Sequence, residues 1–160
     1  CNVDENSTVN GNSYTKSIEE YSKLNNSETL LVSAKIESEI SQISDNEEKK
    51  MFLDSMGLKE TGLKRVIKKG YALLNYINFF TAGEKELRAW TISKGTLAPS
   101  AAGEIHTDME KGFIRAETIS YEDYIEYNGE SGAKEKGKLR LEGKEYEVND
   151  GDVMHFLFNV

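Results

Sequence analysis

The hydrophobic period of this chain changes once, near residues 76–78, and that change restricts the fold more than any other feature. Before it the apolar residues recur with helical spacing. Tyr14, Ile18, Tyr21 and Leu24 mark a helix over Ser13 to Leu24, and Ile36, Ile40 and Ile43 fall at i, i+4 and i+7. Ser44 with Glu47 resembles a capping box that opens a further helix through Met51, Phe52 and Met56, closed by Gly57. Leu63, Val66, Ile67, Tyr71 and Leu74 form the stripe of a last helix ending near Asn75. One short apolar run, Thr29-Leu30-Leu31-Val32, interrupts these helices and reads as a buried strand, so the first half is α–β–α–α–α. The stripes are expected to be core.

After residue 77 the period drops to two. Arg88, Trp90 and Ile92 alternate with Leu87, Ala89 and Thr91, and Phe113 to Ile119 forms a second strand. Pro99 to Thr107 reads as a helix, because proline is tolerated in a first turn. Ser120 with Asp123 caps a short helix through Tyr124 and Ile125 that stops at Gly129. Tyr146 and Val148 mark a strand, Asn149-Asp150-Gly151-Asp152 a turn, and Val153 to Phe158 the final strand. Four or more strands around one main helix in this stretch predict a small ubiquitin-like α+β domain, with the boundary at 76–78.

Composition narrows the class. Among 160 residues, 38% are hydrophobic and 30% charged, and Cys1 is the sole cysteine, which excludes an internal disulfide. The longest uncharged stretch, Gly70 to Gly83, has 14 residues, short of the roughly 20 needed to span a bilayer. No membrane association is expected, and a reducing, cytoplasmic compartment is the natural setting. The chain opens at Cys1 with no basic or apolar leader, so no signal peptide is expected, and it reads as the middle of something longer. Residues 1–76 carry ten Lys/Arg against twelve Asp/Glu, and residues 77–160 ten against sixteen, which accounts for the net charge of -8. Bulk counterion release is therefore a poor basis for binding nucleic acid. The one basic ridge is Lys134, Lys136, Lys138, Arg140 and Lys144, diluted by Glu135 and Glu142. Such a run is either a solvated face or an RNA footprint.

Two short boxes carry chemistry. Asn2-Val3-Asp4-Glu5 opens the chain, and Ser33-Ala34-Lys35 follows the apolar run. In P-loop GTPases an Asn-Lys-x-Asp box and a Ser-Ala-x box occur in this order, each after a buried strand. The Asp accepts hydrogen bonds from the guanine N1–H and 2-amino group, and the Ser-Ala backbone meets the base edge. Here Glu5 takes the Asp slot and Val3 the Lys slot. Adenine lacks both donors, so guanine preference should relax. Taken alone, four-residue boxes also fit a surface turn.

Phe80-Thr81-Ala82-Gly83, Arg88-Ala89-Trp90-Thr91-Ile92, Lys94-Gly95-Thr96, Ala101-Ala102-Gly103, Ile105-His106-Thr107-Asp108, Glu110 to Ala116 and Asp150 to Met154 resemble the C-terminal part of the YchF/Ola family. These are Obg-related, ribosome-binding P-loop ATPases. The resemblance covers the whole chain. It implies an α+β fold: an α/β C-terminal remnant of a P-loop nucleotide-binding domain over residues 1–76, then a β-grasp TGS domain over 77–160. It also implies that Asn2 and Glu5 are the family's Asn-x-x-Glu base box, with Ser33, Ala34 and Lys35 beside it, and that ATP is favoured over GTP. The parent would use ATP with Mg²⁺ and bind the ribosome through its large subunit, with RNA a further partner. No Gly-x-x-x-x-Gly-Lys-[Ser/Thr] loop occurs in the 160 residues. Phosphoryl transfer rests on positioning the β- and γ-phosphates, so no catalytic residue is assigned and no hydrolysis is expected from this chain alone.

His106 beside Asp108 and Glu110 invites a metal or acid–base reading, but a zinc site wants three or four ligands, and the chain has two His and one Cys. No metal site is assigned. His106 is kept as a surface contact beside the Lys134–Lys144 ridge, and His155 and Trp90 as strand residues. Two alternatives to the ATPase-fragment reading stay open. One is a stand-alone TGS module that binds RNA or ribosomes, or regulates without activity. The other is a brace that transmits the nucleotide domain's state.

Overall fold

The computed structural model describes residues 1–83 and 86–159. It divides into two compact units, Cys1–Gly70 and Tyr71–Val160, with the division inside the last turns of a helix.

The first unit is helical. α1 (Ser13–Leu24) starts at a capping box: the Asn12 side chain accepts from the Tyr14 and Thr15 N–H groups, and Thr15 Oγ1 accepts from the Asn12 N–H. α2 spans Ala34–Gln42. α3 (Asn46–Ser55) is capped by Asp45, which accepts from the Glu48 N–H at 2.8 Å, one residue after the expected Ser44. α4 (Gly62–Leu73) takes its first N–H bonds from α2, where the Glu37 carboxylate accepts from Gly62 and Leu63. Ile36, Ile40, Leu53 and Leu58 form the core, with Phe52 and Met56 packed against it.

Two expectations fail in this unit. The predicted strand Thr29–Val32 shrinks to a single parallel bridge between Asn2 and Val32. Its bonds are Val32 N–H to the Cys1 carbonyl and Val3 N–H to the Val32 carbonyl, both 2.9 Å. An apolar run becomes a strand only when neighbours extend its ladder, and the described residues supply one short neighbour. The α1 stripe is also exposed, from 43% at Ile18 to 86% at Leu24, as are Leu63, Val66 and Ile67 of α4. Periodicity gives a helix an apolar face. Burial requires a second element laid over that face, and none lies there among the described residues.

The second unit is a mixed five-stranded sheet in the order β2-β1-β5-β3-β4. β1 (Tyr76–Ala82) pairs antiparallel with β2 (Leu87–Ser93), from Tyr76 opposite Ser93 to Ala82 opposite Leu87. β1 lies parallel to β5 (Val153–Phe158) through Phe80 and Val153. β5 pairs antiparallel with β3 (Phe113–Ile119), which pairs with β4 (Arg140–Glu142). α5 (Ala98–Ile105) presents Ala98, Ala101 and Ala102, all fully buried, among Phe79, Ile92, Phe113, Ala116, Met154 and Phe156. Side chains this small let the helix lie close to the sheet. The predicted helix Pro99–Thr107 is broken at His106, whose extended backbone ends α5 and whose side chain caps α6 (Thr107–Lys111). Two short helices follow β3: α7 (Tyr121–Glu126), capped by Ser120 as predicted, and α8 (Glu130–Glu135), which no sequence signal announced. The segment read as a strand at Tyr146–Val148 makes one bridge, Leu97 with Glu147, and the edge strand is β4 instead.

Candidate functional site

The Asn2–Val32 bridge sets the two sequence boxes side by side. Immediately beyond it, one segment continues into Asp4-Glu5 and the other into α2. The Asn2 side-chain carbonyl accepts from the Ala34 N–H at 3.0 Å, tying the first box to the start of the second. Asp4 caps a single 3-10 turn, Glu5–Ser7, by accepting from the Ser7 N–H at 2.9 Å, and this turn fixes the direction of Glu5. Glu5 then forms an ion pair with Lys35. The Glu5 hydrogen bond, and after it the Glu5 charge, raises the Lys35 ammonium above its ordinary value.

These residues surround an open cavity of about 270 Å³ lined by Asn2, Val3, Asp4, Glu5, Asn6, Ser33 and Lys35. Ser33 precedes α2 in the N-cap position yet makes no capping bond with its side chain. Its hydroxyl has no hydrogen-bond partner, and the residue is 3% exposed. A buried hydroxyl without a partner costs about 1–3 kcal/mol, and this one has essentially no surface open to the cavity. The polar groups around the cavity are the Glu5 carboxylate paired with the Lys35 ammonium and the Asn2–Asn6 segment beside the start of α2. They suit the polar edge of a flat heterocycle. Among the described residues no group of three or more His, Cys, Asp or Glu could hold a metal ion.

The basic ridge is less free than its composition implies. Lys138 pairs with Asp123 at 3.1 Å, and Arg140 bonds Glu142 at 2.9 Å, the Tyr146 hydroxyl at 3.0 Å and Asp152 at 3.3 Å. Lys134, Lys136 and Lys144 are exposed, with no ion pair among the described residues. Gly132 to Lys138 has the Gly-x-x-x-x-Gly-Lys spacing of a phosphate loop, but Leu139 stands where a Ser or Thr is needed. The segment is also the helix α8 and its exit, not a loop after a strand. His106 is exposed. Its Nδ1 accepts from the Asp108 N–H at 3.2 Å, which makes it the cap of α6. In the sequence Asp152 reads only as the end of the Asn149–Asp152 turn. It is buried and accepts from Tyr146, Asn149 and Arg140, a network whose members lie up to twelve residues apart and carry no local motif. No described helix is long and apolar enough to cross a membrane.

The architecture is that of an α+β protein: a helical unit bearing a polar cavity at one parallel bridge, then a mixed five-stranded sheet. Residues 76–159 match the family YchF-GTPase_C, described as "Protein of unknown function (DUF933)", and the chain belongs to the YchF family as a C-terminal fragment. It is 58% identical over 160 residues to the Ribosome-binding ATPase YchF of Haemophilus influenzae, covering all of this chain and 44% of that protein. To the Bacillus subtilis protein of the same name it is 55% identical over 157 residues, 98% of this chain and 43% of that one. The chain thus spans less than half the length of these curated relatives. Among solved structures, the Schizosaccharomyces pombe YchF GTPase superposes with a TM-score of 0.76 at 36% identity, over 92% of this chain and 39% of that one. A GTP binding protein from Pyrococcus horikoshii shares the fold, with a TM-score of 0.64 at 18% identity over 96% of this chain and 44% of that one.

Proposed function

We propose that this chain is the C-terminal part of a translation-associated, ribosome-binding ATPase. Residues 1–76 are the end of its nucleotide domain and residues 77–160 a β-grasp TGS domain. The observation that carries the reading is the convergence of Asn2 and Glu5 with Ser33 and Lys35 on one cavity, with the Ala34 N–H bonded to the Asn2 side chain beside it. Two boxes thirty residues apart in the sequence meet there through a bridge and a side-chain bond. The TGS reading is supported by the strand order β2-β1-β5-β3-β4, with the first and last strands parallel at the centre and α5 against the sheet.

In this reading the base edge of ATP faces Glu5 and the backbone at Ser33 and Ala34, which Asn2 positions. Bound ATP with Mg²⁺ supplies a polarised γ-phosphate, and the residues for that end are not among the 160 here. The residues present suit the base and not the phosphates or the metal, so this chain alone should not hydrolyse ATP.

The partner reading is supported by the relatives' printed name and by the three exposed lysines, Lys134, Lys136 and Lys144, which make no ion pair among the described residues. We expect the chain to sediment with large ribosomal subunits through a patch centred on Lys134, Lys136 and Lys144. Neutralising three phosphates gives a log–log salt slope of about -2 to -3. Reversing the three charges should remove most of the pelleting and flatten that slope. A chain that stays in the supernatant at low salt refutes the ribosome reading. Pelleting that survives the reversal refutes the ridge as the footprint.

A further inference from the structure

The sheet unit holds a cavity of about 430 Å³ at the hairpin end of β1 and β2. Parallel pairing of β1 with β5 stops at Phe80 and Val153, and the cavity opens beyond that point. Its floor is Phe156 and Phe158 of β5, and its wall is Ile105 of α5 and Met109 of α6. Phe158 is 41% exposed, so part of this apolar lining faces solvent. Arg88 brings a permanent positive charge to the same cavity. The guanidinium carbon lies 4.0 Å from the centre of the Trp90 ring. The indole is itself fixed, because its N–H donates to Thr81 Oγ1 at 3.0 Å and its ring stacks on Phe79. Stacking engages the face of a guanidinium and leaves the N–H donors at its edge. Arg88 makes no ion pair among the described residues. A ring holds it in place, not an acid, and its donors are open to an anion.

The rest of the lining selects the anion. Glu86 also borders the cavity, and its charge works against a phosphate dianion more than against a single carboxylate. Phe156 and Phe158 offer no polar side chain to sugar hydroxyls, and they suit an aliphatic or aromatic group. We propose that this cavity binds an apolar monocarboxylate: a hydrophobic amino acid, free or at the end of a chain. Arg88 takes the carboxylate, and the Phe156–Phe158 floor takes the side chain. The site lies wholly within the sheet unit and shares no residue with the Asn2 cavity or the lysine ridge.

The test titrates the ¹⁵N-labelled 160-residue chain with N-acetyl-leucine, leucine, N-acetyl-leucinamide, acetate and inorganic phosphate. N-acetyl-leucine should give saturable shifts at the Trp90 indole N–H and at the Phe156 and Phe158 amides. N-acetyl-leucinamide has the apolar body without the charge, and acetate the charge without the body. Each should bind about ten-fold more weakly, as should N-acetyl-leucine to Arg88→Gln. Arg88→Lys keeps the charge without the planar fork, and its affinity should fall between that of wild type and Arg88→Gln. Arg88 is exposed, so unchanged amide positions away from the cavity will show that both variants are folded. Tighter binding of N-acetyl-leucine than of leucine identifies a chain end as the occupant. Tighter binding of leucine identifies the free amino acid, with Glu86 receiving its ammonium. Absence of shifts at these positions with both carboxylates overturns the proposal. So does equal binding of N-acetyl-leucinamide, tighter binding of phosphate, or an affinity that Arg88→Gln leaves unchanged.

Discussion

Replacing Asp152 by alanine should be among the most damaging single changes to the sheet unit. Asp152 is 3% exposed and accepts from the Tyr146 hydroxyl at 2.6 Å, the Asn149 N–H at 2.9 Å and Arg140 at 3.3 Å. It thereby joins edge strand β4 and the 146–152 turn to the start of β5, while its backbone carbonyl accepts from the Phe80 N–H at 2.8 Å. A bond to a charged group contributes about 1.5–3 kcal/mol and a neutral one about 1 kcal/mol. Arg140 is 41% exposed and keeps Glu142, so its share is discounted for solvent screening. The loss then comes to about 3 kcal/mol. A unit of 90 residues has a total stability of about 4–13 kcal/mol, so this is a large fraction. Trp90 is the sole tryptophan, half-buried and stacked on Phe79 at 6.4 Å between ring centres, so its fluorescence reports this unit alone. With a urea slope of about 1.5 kcal/mol/M, the Asp152→Ala midpoint should fall by about 2 M. Tyr146→Phe removes one hydroxyl bonded to the carboxylate and leaves Asp152 two donors, and should cost about 1.5 kcal/mol. A shift for Asp152→Ala no larger than that of Tyr146→Phe would refute the carboxylate as the hub.

Asp123 is held below the usual carboxylate range, first by the Ser120 hydroxyl and then by Lys138. Its folded value lies under its unfolded one, so its stabilisation is full above the unfolded value and is lost as pH falls through the folded value. Urea midpoints read by Trp90 should therefore decline on the acid side, and Asp123→Asn should flatten that decline. Gly112 is the turn between α6 and β3, and a Cβ there would collide with the Asn159 backbone carbonyl. Gly112→Ala should destabilise the sheet unit by about 1–3 kcal/mol in the same assay, because the obstacle is main chain. Amide exchange should be slowest at Phe79, Ala116 and Phe156, and faster throughout α1, whose apolar face is bare and whose unit has a core of four buried residues. Equal protection in α1 and β5 would contradict this.

The elements legible in the sequence are those whose signals are local. α1 runs from Ser13 to Leu24 as its stripe predicts, and α7 starts at the predicted Ser120 cap, because capping bonds join residues two or three apart. β3 has the expected bounds Phe113–Ile119, and in β5 Met154 and Phe156 enter the core on either side of the exposed His155, as alternation predicts. The candidate site was legible as two boxes, because its residues come from two short consecutive runs. Tertiary structure decided what depends on distant partners. Leu30-Leu31-Val32 is apolar enough for a strand, but the described chain offers it one bridge. The rows Tyr14–Leu24 and Leu63–Ile67 have the periodicity of core, yet exposure depends on what covers a face and not on its composition. Lys138 and Arg140 read as members of a free ridge until Asp123 and Asp152 are brought against them. The same holds for the Glu5–Lys35 pair. Neither residue type nor spacing shows that two residues thirty positions apart share a proton donor and acceptor, because only the parallel bridge at Asn2 and Val32 sets their distance.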